Sequence, residues 1–563
     1  MTDERMRRTY GCGDPTGFPG CRSPAGTLGR AGTLPPNCFD GKEREISRVR
    51  LRQGRHFVIT WGISDTFGGM TGAFLHRSRA FVRLGGIDVD VLTFDARPDY
   101  PEVERRLRQG GRLIDGMSLV NLWDWMRDHP SPGQFARTKA SASENLTAAF
   151  DPLDRGGQYF AGTRNGMIMS LTRYADDGVT ELQVDHYRPD GTLAVSDRRD
   201  VRQRGTVGGR SIVLCDTSGA PVRAWDRAWA LYRWWLDQMR GSGPATMIVD
   251  SKTSARFMVG YVRPQLLVMH VVHASHLAGS DETTVRASRA AVFDDPRSFD
   301  ALVFLTERQR TEAEPLLGDQ VHTAVIPNGR AVPRASAAPK DRPVTSGIML
   351  SALEKRKRVE HSVRAIAGAR AAGAPATLDI YGEGPERQRV EAAIAKAGGG
   401  ITLRGYDPDA STHLSESSFL LLSSRSEGFP LVLVEAMAAG CLPIAYDIAY
   451  GPADIIRDGV NGFLVPPGDI PALSAAIERL VALPAARVHA MRRHAVQTAS
   501  HYSDEAVTKR WASELDRAAK RRGFRPAAPV DALVFRLRRG IARRWRNWRG
   551  TRSAQPATTQ RRR

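Results

Sequence analysis

Cysteine is scarce in this 563-residue chain: Cys12, Cys21, Cys38, Cys215 and Cys441 are all there are, and three of them precede residue 40. An odd number without metal-ligand spacing excludes a disulfide scaffold and points to a reducing compartment, with cytoplasm the expected location. Long apolar runs are missing too. Those around Val262 to Val272 and Phe419 to Leu422 are strand-sized, well short of the roughly 18 residues a spanning helix needs, so no membrane crossing is expected. Met1 to Arg55 mixes Gly, Pro, Arg and Thr without an apolar stretch, which excludes a secretory leader. It reads as disordered, or as a start upstream of what the working protein needs.

Charge of one sign is lacking over most of the chain. The net charge is +20, but Lys520 to Arg563 holds fifteen basic residues against one acid, Asp531, so this tail carries +14 and everything before it +6. Any argument for an acidic partner therefore rests on the tail and not on the body.

What is present is ordinary globular material, 41% apolar and 25% charged, in a chain longer than the roughly 250 to 300 residues at which single cores stop growing. Two or three domains follow. His56 to Trp61 is a β-rich run, Thr66 to Gly72 (TFGGMTG) a glycine loop, Ala73 to Leu84 a helical stretch and Ile87 to Phe94 a second strand. That order opens a parallel, doubly wound sheet.

From about Phe150 to Asp226 the pattern changes to short β-rich runs separated by Asp176-Asp177-Gly178, Asp190-Gly191 and Ser218-Gly219. Such turns join antiparallel strands, so this stretch reads as a meander inserted into the first domain. Buried strands resume at Thr246 to Val249 and Gln265 to Val272. After a Pro- and Ala-rich joint, Val332 to Val344, a second strand-helix series begins at Gly347. The expected division is 1–55 disordered, 56–149 and 227–338 an interrupted N-terminal Rossmann-like domain, 150–226 the meander, 339–518 a C-terminal nucleotide-binding domain and 519–563 a basic amphipathic tail. Fold class is thus α/β, two doubly wound domains facing a cleft.

The segment Ser423 to Gly440, SSRSEGFPLVLVEAMAAG, carries the sharpest chemical signal. Glu427 sits in a loop turned by Gly428, Phe429 and Pro430. A helix begins near Leu431, and Glu435 falls one turn into it. A loop-to-helix junction of this kind presents free backbone N–H groups that can receive a diphosphate or sugar hydroxyls. The bland alternative has Glu427 capping the helix and Glu435 solvated. The flanking residues favour the other reading, because the segment resembles the E-x7-E signature of retaining glycosyltransferases of family 4. That resemblance implies that Glu427 and the following amides hold the donor sugar and that Glu435 holds the ribose.

Ser351 to His361, SALEKRKRVEH, follows the first strand of the second domain. A cation here can meet the charge that grows on a leaving diphosphate. In the family pattern an Arg precedes a Lys by five residues; Lys357 matches the Lys, Ala352 stands where the Arg would be, and Lys355 or Arg356 is left to substitute. The family also places a histidine beside the reacting sugar, which His273 matches as a polar donor to a hydroxyl near C6, with His276 orienting it or opening the next helix.

His270, His273 and His276 stand at steps of three, but His270 lies in a strand, where that step alternates faces, so a shared metal is not expected. Asp88-Val89-Asp90 mimics a D-x-D metal motif and is read as strand alternation. Gly68 and Gly69 allow the backbone to approach the donor phosphates or the acceptor.

From about His56 to Ala518 the chain resembles one branch of family 4, the poly(glycerol-phosphate) α-glucosyltransferases and the enzymes that place GlcNAc on Ser/Thr-rich adhesins. Shared marks are TFGGMT with Arg77-Ser78-Arg79, the HASH segment, the inserted meander and Tyr450-Gly451-Pro452-Ala453-Asp454. The resemblance implies a GT-B fold, a UDP-glucose or UDP-GlcNAc donor, retention of the α configuration and no metal or other cofactor. It implies an acceptor that is an anionic glycerol-phosphate polymer of the envelope or, second, a Ser/Thr protein, with a homo-oligomer or sister-subunit contact through the meander. A catalytically silent binding partner is the rival reading, motivated by Ala352.

In the tail, Leu533, Leu537, Ile541, Trp545 and Trp548 follow helical spacing among arginines. Residues 530–549 are expected either to lie on an anionic membrane surface as a peripheral contact or to be solvated. Nucleic-acid binding is not expected, since no recognition fold accompanies the charge.

Overall fold

The computed structural model describes residues 49–65, 67–130, 149–278, 284–318, 321–332 and 342–523. Thr66 of the glycine loop, most of the N-terminal segment and the basic stretch 530–549 lie outside the described residues.

The chain lays down β1 (Arg55–Ile59), β2 (Val89–Thr93) and β3 (Met117–Asn121), departs through β4 (Phe160–Arg164), β5 (Met167–Tyr174), β6 (Glu181–Tyr187), β7 (Leu193–Arg198), β8 (Ser211–Cys215) and β9 (Pro221–Trp225), and then returns. The returning strands are β10 (Ala245–Val249), β11 (Leu266–Val272), β12 (Ala301–Phe304) and β13 (Thr323–Val325). Seven of these form one sheet in the order β13-β12-β11-β10-β1-β2-β3, parallel at every pairing. Helices cover both faces of such a sheet, which is why every position of β10, β11 and β12 is buried and nearly all are apolar.

The second half repeats the plan with β14 (Ser346–Leu350), β15 (Thr377–Tyr381), β16 (Ile401–Gly405), β17 (Phe419–Leu422), β18 (Leu442–Tyr446) and β19 (Phe463–Val465). Their order is β16-β15-β14-β17-β18-β19, again all parallel. Five helices matter below: α1 (Gly69–Gly85), α2 (Leu122–Asp128), α3 (Glu307–Leu317), α4 (Leu431–Ala438) and α5 (Asp504–Gly523).

Strands β4 to β9 make a separate antiparallel sheet in sequence order. Its turns use the residues that such turns require. At Asp190-Gly191 the carboxylate accepts from Thr192 N at 2.8 Å while Gly191 takes φ +84°, a backbone state that glycine adopts at no steric cost. The module is joined to the first half through α2, where the buried Arg127 donates to the carbonyls of Tyr187 and Met169 and Trp123 stacks on His186 with centroids 4.2 Å apart.

Two expected boundaries shift. Disorder through residue 55 is corrected, because Val49 and Leu51 are buried and Val49 N donates to Leu84 O at 2.8 Å. The C-terminal domain does not keep its last helix: α5 crosses back and packs on α1. There the Trp511 ring meets Phe81 edge-on at 6.1 Å and receives the Arg77 guanidinium at 5.1 Å. Residues 519–523, expected in the tail, complete this helix, with Arg522 donating to Asp300 at 2.6 Å.

Candidate active site

Parallel strands that pair side by side deliver their following loops to the same edge of the sheet. β14 and β17 are such neighbours, so the Ser351 to Lys357 loop and the Ser423 to Glu427 loop emerge together. They are bolted in place: Ser423 Oγ donates to Arg358 O at 2.8 Å, and Arg425 N donates to Arg356 O at 2.8 Å. The consequence is a cationic pair on one carboxylate. Lys357 Nζ lies 2.6 Å from Glu427 Oε1, and Arg356 Nη1 lies 3.3 Å from Glu427 Oε2 and 3.1 Å from Ser426 O. Ala352 is exposed, and Ser351 Oγ turns onto its carbonyl at 3.1 Å.

The same rule builds the facing wall. β10 and β11 pair with Val249 opposite His270, which sets Asp250 and His273 side by side beyond the strand ends. Asp250 has no exposed side-chain surface. It accepts from His273 Nε2 at 2.6 Å and from Arg77 Nη1 and Nη2 at 3.0 and 2.7 Å. Burial alone would raise the Asp250 carboxyl, but the Arg77 charge and the His273 bond hold it at about 2. An ionised Asp250 only accepts, so the proton sits on His273 Nε2 and Nδ1 is the nitrogen left for a ligand. The expected donor is therefore an acceptor at that atom whenever the ring is neutral.

The two walls touch. A Cβ at Gly428 would fall 1.7 Å from the His273 carbonyl oxygen, so only glycine permits this approach. Phe429 is buried and faces the Tyr502 ring at 5.6 Å. Pro430 is the N-cap of α4 and makes no side-chain cap, and Leu431 is its first residue. Gly68 and Gly69 open α1 without a side-chain cap, and a Cβ on either would meet nothing within 4 Å, so the backbone there borders open space.

The remaining expected residues separate. Glu435 pairs with Arg330 Nε at 2.5 Å and so has a different cation from Glu427. His276 is fully buried, its ring stacked on Phe293 at 5.4 Å and on Tyr450 at 6.1 Å, and burial lowers its pKa to about 4. It is a core histidine held among aromatic rings, and the residue that bonds and orients His273 is Asp250 instead. His270 bonds Val249 O through Nδ1 at 2.8 Å, and burial lowers its pKa to about 3; the three histidines thus have three separate surroundings.

Tyr450 and Asp454 form a latch between the halves. Tyr450 OH donates to Glu312 on α3 at 2.5 Å, Tyr450 N donates to Glu427 O at 3.0 Å, and Asp454 Oδ1 accepts from Glu307 N at 2.8 Å. Sequence reasoning missed Asp250 as the partner of His273, Arg77 as a site residue, and Arg330 altogether. A lone acid directly after the apolar run Thr246 to Val249 was the available signal for Asp250.

Residues 332–499 match the family described as Glycosyl transferases group 1. With two facing parallel sheets and this loop pair, the chain is a glycosyltransferase of the GT-B fold. Over 512 residues it is 24% identical to the poly(glycerol-phosphate) alpha-glucosyltransferase of Bacillus subtilis, covering 82% of this chain and 75% of that one. It is 33% identical over 254 residues to an exopolysaccharide phosphotransferase of Streptomyces coelicolor, but that match spans 44% of this chain and only 27% of the relative. A solved structure of a Staphylococcus aureus TarM mutant in complex with fondaparinux, alpha-GlcNAc-glycerol and UDP superposes with a TM-score of 0.66 at 19% identity, over 82% of this chain and all of that one. Within the class, the chain is similar over most of its length to a poly(glycerol-phosphate) α-glucosyltransferase and a poly(ribitol-phosphate) α-N-acetylglucosaminyltransferase, and over about half of it to GlcNAc-transferring subunits.

Proposed function

We propose that the protein is a retaining, metal-independent hexosyltransferase that moves glucose or GlcNAc from a UDP-sugar to a hydroxyl of a glycerol-phosphate polymer. The observation that carries this is the convergence of Lys357 and Arg356 on Glu427, beside the wall made by His273 and Asp250. Two cations that share a carboxylate at the foot of a helix can turn to a diphosphate and stabilise the charge that develops as it leaves. Arg356 supplies the second cation where Ala352 has none, and together they do what a divalent ion does in other transferases.

In this reading Glu427 and His273 Nδ1 hold sugar hydroxyls, and Glu435 accepts from the ribose. The acceptor hydroxyl attacks the anomeric carbon from the face that the phosphate leaves. The bond to the phosphate oxygen breaks, the new glycosidic bond forms, and the departing phosphate takes the proton, so no enzyme nucleophile is required. The likeness to enzymes named for poly(glycerol-phosphate) and the basic tail favour an anionic polymer over a Ser/Thr protein.

Turnover of radiolabelled UDP-glucose and UDP-GlcNAc, with polymer and peptide acceptors read by mass spectrometry, tests the proposal. Lys357→Ala is expected to lower kcat about 100-fold or more, Glu427→Ala to abolish transfer, and EDTA to change nothing. Absence of donor binding in the unmodified protein would sink the proposal and leave the silent-partner reading.

A further inference from the structure

Glu435 is the fifth residue of α4, and its side chain is 28% exposed. Its cation does not come from the loops that hold Glu427. It comes from Arg330, 105 residues upstream, where the chain passes from the first sheet to the second. The Arg330 backbone is fixed without help from its own side chain. Its N–H donates to Tyr502 O at 3.0 Å and its carbonyl accepts from Asp504 N at 3.1 Å, a parallel bridge to Ser503. A Cβ on the preceding residue, Gly329, would lie 3.3 Å from Asp504 Oδ1, so the returning chain sits close against this segment.

Stability does not account for the pair. Both side chains are about a quarter exposed, at 23% and 28%, and ion pairs so open to solvent contribute little to folding. A carboxylate that must accept from vicinal hydroxyls has another need. It must be ionised, and it must be held in one orientation before the ligand arrives. A guanidinium bonded through Nε to one oxygen does this and leaves the second oxygen for the ligand.

We propose that Arg330 is a positioning residue for donor selection, holding Glu435 so that its free oxygen reads the ribose hydroxyls and distinguishes a ribonucleotide from a deoxyribonucleotide. The inference rests on the reading of Glu435 as the ribose ligand and deepens it. Arg330 acts through Glu435, and its place is set by the bridge to Ser503 rather than by the ligand.

The test compares UDP with 2′-deoxy-UDP by titration calorimetry, and UDP-glucose with its 2′-deoxy analogue by kinetics. The chains are unmodified, Arg330→Ala, Arg330→Lys, Glu435→Ala and the double variant. Arg330→Ala is expected to raise the donor KM about tenfold with kcat within about twofold, and to shrink the ribose preference by a similar factor. Arg330→Lys restores part of both, and the double variant is no worse than Glu435→Ala, because the two residues act as one unit. A ribose preference unchanged in Arg330→Ala and Arg330→Lys but lost in Glu435→Ala overturns the inference alone. A preference unchanged in Glu435→Ala overturns the ribose reading as well.

Discussion

Asp250 carries a charge with no solvent against it, and Arg77 and His273 offset the cost of that burial. Removing one partner from such a group leaves the other uncompensated. Arg77 is 8% exposed, so Asp250→Asn is expected to cost roughly 3 to 5 kcal/mol in urea unfolding. The pH dependence has a definite sign. The folded carboxyl sits near 2, below its unfolded value of about 4, so its contribution is complete above the unfolded value and disappears as pH falls through about 2. The gap between the two proteins should be flat from neutral pH down to the ordinary carboxylate range and close only below it. His273 was picked out by its match to the histidine that the family places beside the sugar. Asp250 was not, because the contact depends on which strands become neighbours, and Arg77 lies 173 positions before it.

At the scale of elements, α3 is capped from two directions. Thr306 Oγ1 accepts from Gln309 N at 3.1 Å within the first half, and Asp454 reaches across from the second half to Glu307 N. Asp454→Ala is expected to cost about 1 kcal/mol and to speed hydrogen exchange at the Glu307 amide, while donor affinity falls because the latch loosens. An Asp454→Ala chain with unchanged exchange at that amide would show that the cap is idle.

Most strands were visible as apolar runs, since parallel sheets covered on both sides leave little else in sequence. β3, β4 and β19 were not. β19 is only three residues long, and β4 is largely exposed with no apolar alternation to mark it. Helical periodicity likewise shows that α5 has a buried face but not which half receives it. The two glutamates were legible from their flanks, yet not that each has its own cation.

For the whole molecule, the uneven charge is the property with the widest reach. No helix among the described residues is long and apolar enough to cross a membrane; the basic tail suits a different kind of contact, peripheral and electrostatic. We propose that residues 530–549 make such a contact, each cation near an anionic surface contributing on the order of 1 kcal/mol. Vesicles containing phosphatidylglycerol are expected to carry the full chain upward in flotation and to leave behind a chain ending after Gly523. That cut spares the Arg522 bond to Asp300, which an earlier truncation would remove. Equal flotation of the two chains would end the proposal.

The outgoing segment at Arg330 and the returning one at Ser503 are joined by a parallel bridge, so the two halves share a single axle with two threads through it. Such a joint permits swinging but resists sliding. Any opening about that joint would part the rims of the cleft before it disturbed the floor where a nucleotide would rest.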